Sequence, residues 1–227
     1  MQKVSHTVLM DALGVAIQGS PFKGTTMSRR LSTIADRTDL TKVNDLEHAS
    51  PEAGKLPSRL KAFSVEIQAV AAVTLLLREV GEKLELLVVK RVENPKDPWS
   101  GQMALPGGRH ETKDRNMRET AIRETLEETG IDLTSDAYFL GVLEVVRSAV
   151  RPDMTVLPFV ALLERDPEIR LSSRELERYV WVTPKQLIEN KGTTRFSFGT
   201  FPAFIVGSNV IWGLTYMILT RFLELLQ

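Results

Sequence analysis

The chain of 227 residues contains no cysteine, and this absence removes several classes of chemistry at once. Thiol catalysis, disulfide bonds and thiolate metal sites all require cysteine. A chain without cysteine also fits a reducing compartment, so we predict a cytoplasmic protein. Histidine is nearly as rare, and His6, His48 and His110 lie too far apart in the sequence to suggest a zinc site. We therefore expect any metal ion to be bound by oxygen ligands.

An excess of charge of either sign is also missing, because 29 Lys and Arg residues balance 29 Asp and Glu residues. Proteins that bind nucleic acid by neutralising phosphates usually carry a basic excess. We therefore expect a small-molecule partner and no nucleic acid. The sequence does not determine the oligomeric state, and a homodimer is compatible with it.

Charged residues are absent altogether from segment 196–220, which is long enough to span a bilayer. Pro202 and the turn sequence at 207–209 interrupt this segment. We predict a short buried strand before the turn, an amphipathic helix after it, and no membrane span. The helical spacing is carried by five apolar residues: Ile211, Leu214, Ile218, Phe222 and Leu225.

The N-terminal part of the chain is not expected to be a signal peptide. Asp11 interrupts its apolar run, and no small-residue cleavage site follows. From Ser20 to about Arg59 the chain is polar and contains glycine and proline. We predict that residues 1–61 form an extension that is partly helical or disordered, with a short helix near 27–35. The remaining residues, 62–227, are predicted to form one domain.

Strand and helix signals alternate within that domain. Apolar runs on both sides of Gly81 predict a β-hairpin, and YFLGVLEVV and TVLPFVALL predict two more strands. The sequence YVWV predicts the last strand, and Thr183 followed by Pro184 predicts the start of a helix that ends near Asn190. These elements indicate an α/β (α+β) fold in which a mixed β-sheet lies between helices.

A helix with an acidic face is predicted in the middle of the chain. It begins near Asn116, which forms a capping pair with Glu119, and Gly130 ends it. Three of its carboxylates fall within an arc of about 100°: Glu124, Glu127 and Glu128. Carboxylates at this density repel one another unless a cation neutralises them, and hard oxygen ligands suit Mg²⁺ or Mn²⁺.

An acidic cluster on a helix is often only a solvated face, so the neighbouring residues carry the interpretation. Pro106, Gly107 and Gly108 precede the helix, and the sequence RETLEETGI closes it. This pattern resembles the Nudix box, G-x5-E-x7-R-E-U-x-E-E-x-G-U, where U is aliphatic, with Thr125 in place of the first aliphatic residue. The Nudix family hydrolyses diphosphates linked to another moiety, and its fold is a mixed sheet between helices.

The resemblance implies catalytic roles for residues of this helix. Glu124 and Glu128 would be the principal ligands of Mg²⁺ or Mn²⁺, and Glu127 would be a further ligand or the base for water. Arg123 would orient the glutamates by ion pairing. The implied reaction is metal-assisted attack of water on phosphorus, catalysed by Arg123, Glu127 and Glu128.

The loop before the helix departs from the common spacing of the box. Counting back from Arg123 places the first acid at Arg115, whereas counting forward from Gly108 places it at Asp114. One extra residue then separates this acid from the helix, as in the Nudix branch that contains the coenzyme A pyrophosphatases. Gly107 and Gly108 would let the backbone approach the metal ion or the phosphate closely, because they carry no side chain.

Two other segments resemble the same branch. The downstream sequence VIWGLTYMIL is similar to its C-terminal segment, and four upstream residues match approximately: Arg91, Gly101, Gln102 and Leu105. The segment from Lys96 to Trp99 departs from the branch, which has Leu-Arg-x-His there. Trp99 would either stack on an adenine or anchor a packed loop.

We therefore expect a metal-dependent hydrolase that cleaves the diphosphate of coenzyme A or acyl-coenzyme A. ADP-ribose, nucleotide sugars and nucleoside triphosphates stay open as substrates. A non-catalytic nucleotide sensor also stays open, although such proteins typically lose glutamates that this chain keeps. Glu175 is an additional candidate carboxylate. The expected contacts with substrate or phosphate are Gly107, Gly108, Arg91, Asp114 and Trp99.

Overall fold

The computed structural model describes residues 49–95, 99–149 and 151–227. The helix predicted near 27–35 lies outside the described residues. In the part that is described there are five helices: α1 (Pro51–Arg59), α2 (Met117–Thr129), α3 (Leu133–Asp136), α4 (Pro184–Glu189) and α5 (Gly213–Leu225). The strands of the same residues are β1 (Ala71–Val80), β2 (Lys83–Arg91), β3 (Met103–Ala104), β4 (Gly107–Arg109), β5 (Ala137–Val142), β6 (Val146–Arg147), β7 (Thr155–Leu163), β8 (Leu176–Val182), β9 (Lys191–Phe196), β10 (Gly199–Val206) and β11 (Asn209–Trp212).

Strand β1 lies at the centre of a mixed sheet that comprises eight of the described strands. It runs parallel to β7 and antiparallel to β2 and β4, and the β1–β2 hairpin turns at Gly81, whose φ is 61°. Nearly all of β7 and most of β1 are buried, because both faces of the sheet are covered. The hairpin and the strand TVLPFVALL are therefore confirmed.

Helices cover the two faces of this sheet. Helix α2 packs on one face, where Met117 and Ala121 contact buried residues of β1 and β7. Helices α1, α4 and α5 contribute to the core on the opposite face. The predicted fold class, a mixed sheet between helices, is confirmed. Helix α1 belongs to the segment predicted as an extension, yet its Ala53 and Leu56 are fully buried in this core.

The C-terminal part contains a second sheet, of which the sequence predicted only the strand before the turn at 207–209, observed as β10. Strands β9, β10 and β11 form a three-stranded antiparallel sheet after the helix that Thr183 caps. The prediction that YVWV forms the last strand is therefore wrong. The predicted helix also begins later, at Gly213, because Ile211 pairs with Phe204 in the sheet. Among the described residues, the helices are too short or too polar to cross a membrane.

Candidate active site

Helix α2 is fixed at both ends by the residues that the sequence singled out. The Asn116 side chain accepts a hydrogen bond from the Glu119 backbone N–H at 3.1 Å. At the other end, Gly130 adopts the left-handed conformation and its N–H donates to the Leu126 carbonyl at 2.9 Å. The Glu119 carboxylate accepts from the Arg115 N–H, not from the N–H of Asn116. The predicted capping pair is therefore confirmed in one half only: Asn116 caps the helix, and the Glu119 side chain binds the Arg115 N–H instead of the Asn116 N–H.

The surroundings of Thr125 explain why a threonine fits where the box usually has an aliphatic residue. It is fully buried, and its hydroxyl shares a 2.9 Å hydrogen bond with the hydroxyl of Thr74 on β1. A buried hydroxyl without a partner costs free energy, so the two threonines satisfy each other. This contact joins the helix to the central strand at the residue that follows Glu124.

Glu128 is the most buried carboxylate of the helix, with 2% of the residue exposed. Its Oε2 accepts a hydrogen bond from the Gly107 N–H of β4 at 2.9 Å. Burial raises the pKa of Glu128 to about 8, the hydrogen bond from Gly107 opposes this rise, and the negative charge of Glu124 adds to it. Burial also raises the pKa of Glu124, against the nearby charge of Arg123. Two inward-facing carboxylates therefore occupy a place where negative charge is poorly solvated.

Gly107 and Gly108 allow β4 to pair with β1 next to helix α2. Gly107 has a φ of 146°, and a Cβ there would lie 2.3 Å from the carbonyl oxygen of Ala72. A Cβ on Gly108 would lie 2.5 Å from the Glu124 carboxylate. Strand β1 therefore leaves no room for a side chain at Gly107, and Glu124 leaves none at Gly108. The packing of the protein alone thus requires glycine at both positions, in addition to the predicted close approach of a ligand.

Arg123 connects the acidic residues of the loop and the helix. Its Nη1 donates to Glu124 Oε1 at 2.8 Å, and its Nη2 donates to the Arg109 carbonyl at 3.0 Å and to Asp114 Oδ2 at 2.8 Å. The hydrogen bonds from Arg123 hold the pKa of Asp114 well below its usual range, and those to Asp114 raise the pKa of Arg123. The predicted orienting role of Arg123 has a structural basis in these contacts.

Asp114 and Glu127 are not among the residues that line the cleft in front of Glu124 and Glu128. Asp114 is buried under the loop, where it binds Arg123 and the hydroxyl of Thr120, and it does not line the cleft. The side chain of Glu127 is 54% exposed and lies 3.3 Å from Arg123 and 3.9 Å from Lys113. The predicted phosphate contact of Asp114 and the predicted ligand role of Glu127 receive no support from these positions.

A cleft of about 1040 Å³ is lined by the buried Glu128 and the partly buried Glu124. Of the predicted residues, it brings together Glu124, Glu128, Gly107, Gly108, Arg91, Trp99 and Glu175. Arg91 Nη1 lies 3.9 Å from Glu128 Oε1, and its positive charge opposes the rise in the pKa of Glu128. Trp99 also packs against the main core, so it anchors its loop while it faces the cleft.

Other residues of the cleft were not singled out by the sequence reasoning. Arg151 lies 5.1 Å from the centre of the Trp99 ring, and Arg174 stands beside Glu175 in the lining. Phe196, Phe198 and Trp212 reach the cleft from the three-stranded sheet. The available signal for Arg174 was its adjacency to Glu175. The aromatic residues could have been found only by recognising the missed strands.

The chemistry of the two inward carboxylates fits a divalent cation. The described residues contain no group of three or more His, Cys, Asp and Glu side chains that could hold a metal ion alone. Mg²⁺, however, commonly takes only one or two carboxylates from a protein and completes its shell with water and substrate phosphate. Glu124 and Glu128 meet this requirement, and a cation would offset the cost of burying their charge.

Comparisons with known proteins show what this chain is similar to. The family model of the NUDIX domain matches residues 67–204. The chain is 37% identical to the peroxisomal coenzyme A diphosphatase ndx-8 of Caenorhabditis elegans over 134 residues, which cover 58% of this chain and 56% of that protein. It is 31% identical to the human mitochondrial coenzyme A diphosphatase NUDT8 over 167 residues, which cover 70% of each protein.

The chain spans between 40% and 70% of the lengths of its curated relatives. Among solved structures, it is similar to a C. elegans Ap4A hydrolase in a binary complex, with 20% identity and a TM-score of 0.43. That match covers 54% of this chain and 85% of the other.

Proposed function

This chain belongs to the NUDIX domain family, and from that membership we propose that it hydrolyses the diphosphate linkage of coenzyme A or acyl-coenzyme A. The observation that carries the proposal is that Glu128, which is buried, and Glu124, which is partly buried, both line the cleft. Two relatives named coenzyme A diphosphatase support the choice of substrate. A non-catalytic nucleotide sensor would not need buried carboxylates, whose presence costs folding free energy.

The protein's own residues would hold the diphosphate and one or more divalent cations, Mg²⁺ or Mn²⁺. Glu124 and Glu128 would bind the cation, with Glu128 held by the Gly107 N–H and Glu124 by Arg123. Arg91 and Arg174 line the same cleft and would bind phosphate oxygens by charge-assisted hydrogen bonds. A bound cation would supply charge neutralisation on the phosphate oxygens and a more acidic water.

The reaction would consume one water molecule for each diphosphate. Water attacks one phosphorus atom, the bridging P–O bond breaks, and the two products are phosphomonoesters. For coenzyme A these are 4′-phosphopantetheine and adenosine 3′,5′-bisphosphate. Glu175 lines the cleft near Glu124 and Glu128 and is a further carboxylate available to bind a cation or water there.

A panel of substrates tests this proposal. The purified protein is incubated with coenzyme A, dephospho-coenzyme A, ADP-ribose, diadenosine tetraphosphate and a nucleoside triphosphate, with Mg²⁺ or Mn²⁺, and the products are identified by mass. We expect the highest kcat/KM with a coenzyme A derivative. A preference for ADP-ribose, or no hydrolysis of any diphosphate, would contradict the proposal.

The cellular compartment of this protein stays a prediction. The two relatives are named peroxisomal and mitochondrial, whereas the absence of cysteine led us to predict the cytoplasm. Imaging of the full-length protein with a small internal tag would test the cytoplasmic prediction.

A further inference from the structure

Two loops that border the cleft meet through Trp99 and Arg151. The guanidinium carbon of Arg151 lies 5.1 Å from the centre of the Trp99 ring, within the range in which a cation is attracted to an aromatic face. The Trp99 side chain also packs against the main core, so it gives the guanidinium an anchored surface. Both residues line the cleft. The structure thus holds a positive charge in the cleft lining.

The backbone of the loop that carries Arg151 is fixed by its own hydrogen bonds. The Arg151 N–H donates to the Ser148 hydroxyl at 3.1 Å, and the Arg151 carbonyl accepts from the Met154 N–H at 2.8 Å. The Ser148 N–H donates to the Met154 carbonyl at 3.0 Å, which closes the loop before β7. Arg151 is therefore positioned before a ligand arrives, and this lowers the entropy lost on binding.

The charge of Arg151 is not neutralised within the protein. Among the described residues, no carboxylate forms an ion pair with Arg151, whereas Arg91 pairs with Glu128 and Arg123 pairs with Glu124. An arginine without an acidic partner is common on an open surface. One that lies on an aromatic ring in a cleft is placed to bind an anionic group of a ligand.

The register of the strands separates this arginine from the glutamates. Gly108, whose Cβ would lie 2.5 Å from the Glu124 carboxylate, pairs with Ala72 of β1, and Ala72 pairs with Leu157 of β7. Neighbouring strands lie about 4.8 Å apart, so β7 runs about 10 Å from β4. Arg151 lies in the loop that leads into β7. Arg151 is therefore placed for a second anionic group of the ligand, apart from the group that the carboxylates and their cation would bind.

We propose that Arg151, held on Trp99, binds a phosphate monoester of the substrate that lies outside the diphosphate. This inference rests on the proposed function: in coenzyme A the group is the 3′-phosphate of the ribose, which dephospho-coenzyme A and ADP-ribose lack. A phosphate monoester carries about 1.5–2 negative charges at pH 7, and a guanidinium donates two parallel hydrogen bonds to its oxygens. Arg151 is then a specificity-determining residue, distinct from the arginines assigned to the diphosphate.

Another arginine of the cleft, Arg109, provides an internal comparison. It is the last residue of β4 and also lines the cleft. Its backbone carbonyl accepts a hydrogen bond from Arg123 at 3.0 Å, which places it beside Glu124. We expect Arg109 to act on the diphosphate, which coenzyme A and dephospho-coenzyme A share. The two arginines should therefore differ in their effects on substrate choice.

Steady-state kinetics with coenzyme A and dephospho-coenzyme A test the inference. We expect the wild type to prefer coenzyme A by at least about tenfold in kcat/KM, the usual effect of a hydrogen bond to a charged group. Arg151→Gln should reduce this preference to less than about threefold by lowering kcat/KM for coenzyme A. Arg109→Gln should lower kcat/KM for both substrates in proportion and keep the preference.

A matched control is Arg195→Gln, because Arg195 is also an exposed arginine but is not among the residues that line the cleft. We expect this variant to keep the wild-type preference. Trp99→Phe retains a ring under the guanidinium and should keep most of the preference, whereas Trp99→Leu should reduce it. Equal kcat/KM for the two substrates in the wild type would overturn the inference, as would a preference that survives in Arg151→Gln.

Binding of adenosine 3′,5′-bisphosphate separates this inference from the proposed function, because that compound has no diphosphate. By calorimetry with a chelator present, we expect it to bind the wild type more tightly than adenosine 5′-monophosphate does, and Arg151→Gln to abolish the difference. If this difference is observed without any hydrolysis of coenzyme A, the proposed function fails and the phosphate site stands. If coenzyme A is hydrolysed and the 3′-phosphate adds neither affinity nor rate, the site fails and the proposed function stands.

Discussion

Asp114 accepts two hydrogen bonds from the guanidinium of Arg123, from Nε to Oδ1 at 2.9 Å and from Nη2 to Oδ2 at 2.8 Å. Both side chains are largely buried, and the remaining nitrogen of Arg123 contacts Glu124. The acid that is displaced by one position in the loop thus binds the same arginine that donates a hydrogen bond to Glu124. The irregular spacing of the loop is compatible with an intact site.

Replacing Asp114 by Asn tests the importance of this pair. The variant removes the buried anion that accepts two hydrogen bonds from Arg123 and leaves Glu124 as its remaining close counter-charge. Removing one partner of a buried pair typically costs about 3–5 kcal/mol, and Glu124 places the expected loss at the lower end. We expect a loss of about 3 kcal/mol in the free energy of unfolding, measured by urea denaturation at pH 7. A matched control is Glu144→Gln, which removes the exposed pair with Lys61 and should leave stability unchanged.

The pH dependence of the same comparison has a defined sign. Because the folded-state pKa of Asp114 lies below its unfolded value of about 3.9, the pair stabilises the fold fully above that pH. The difference between wild type and Asp114→Asn should be constant from pH 5 to 7 and should shrink as the pH falls below about 4. A difference that grows on acidification would contradict the pairing.

Gly108→Ala should impair activity more than stability. The new Cβ would lie 2.5 Å from the Glu124 carboxylate, so that side chain must move. A displacement of about 1 Å in a catalytic group can cost about 100-fold in rate, and we expect a loss of that order in kcat with coenzyme A. The control is Gly54→Ala, since Gly54 lies in α1 with nothing within 4 Å, and this change should stabilise the fold by about 0.5–1 kcal/mol.

The local parts of the structure could be predicted from the sequence. The hairpin at Gly81 and the limits of α2 depend on neighbouring residues, because a turn glycine, an N-cap asparagine and a C-terminal glycine act over a few positions. The inward position of Glu124 and Glu128 follows from helical periodicity combined with the preceding glycines. These features needed little information about distant parts of the chain.

The parts that were missed depend on distant contacts. Strand β9, with the sequence KGTTRF, has no apolar alternation that separates it from a loop, and its pairing with β10 defines it. Ile211 fits a helical pattern but is drawn into the sheet by its pairing with Phe204. The aromatic side chains that this sheet contributes to the cleft follow from the same pairing and could not be predicted without it. The inward turn of Asp114 towards Arg123 likewise requires the folded loop.

The buried charge of Glu128 should make stability depend on pH and on divalent cations. Its folded-state pKa of about 8 lies above the unfolded value of about 4.3, so its contribution to stability is full below pH 4 and is lost as the pH rises towards 8. With a chelator present, we expect the stability of the wild type to fall across this range relative to Glu128→Gln.

Adding Mg²⁺ at pH 8 should stabilise the wild type and have a much smaller effect on Glu128→Gln, because the cation binds the folded state and needs the ionised carboxylate. Thermal unfolding at pH 5 and pH 8, with chelator and with Mg²⁺, measures both effects. Parallel behaviour of the two proteins under all four conditions would show that Glu128 is neither buried as a charge nor a cation ligand.

The most direct test of the account is the rate at which wild type and Glu128→Gln convert coenzyme A to 4′-phosphopantetheine and adenosine 3′,5′-bisphosphate with saturating Mg²⁺. Glutamine preserves the size of the side chain and removes its negative charge. We predict that the wild type forms both products and that kcat falls at least about 100-fold in the variant, with the fold retained by circular dichroism. Equal rates for the two folded proteins, or no product from the wild type, would contradict the account.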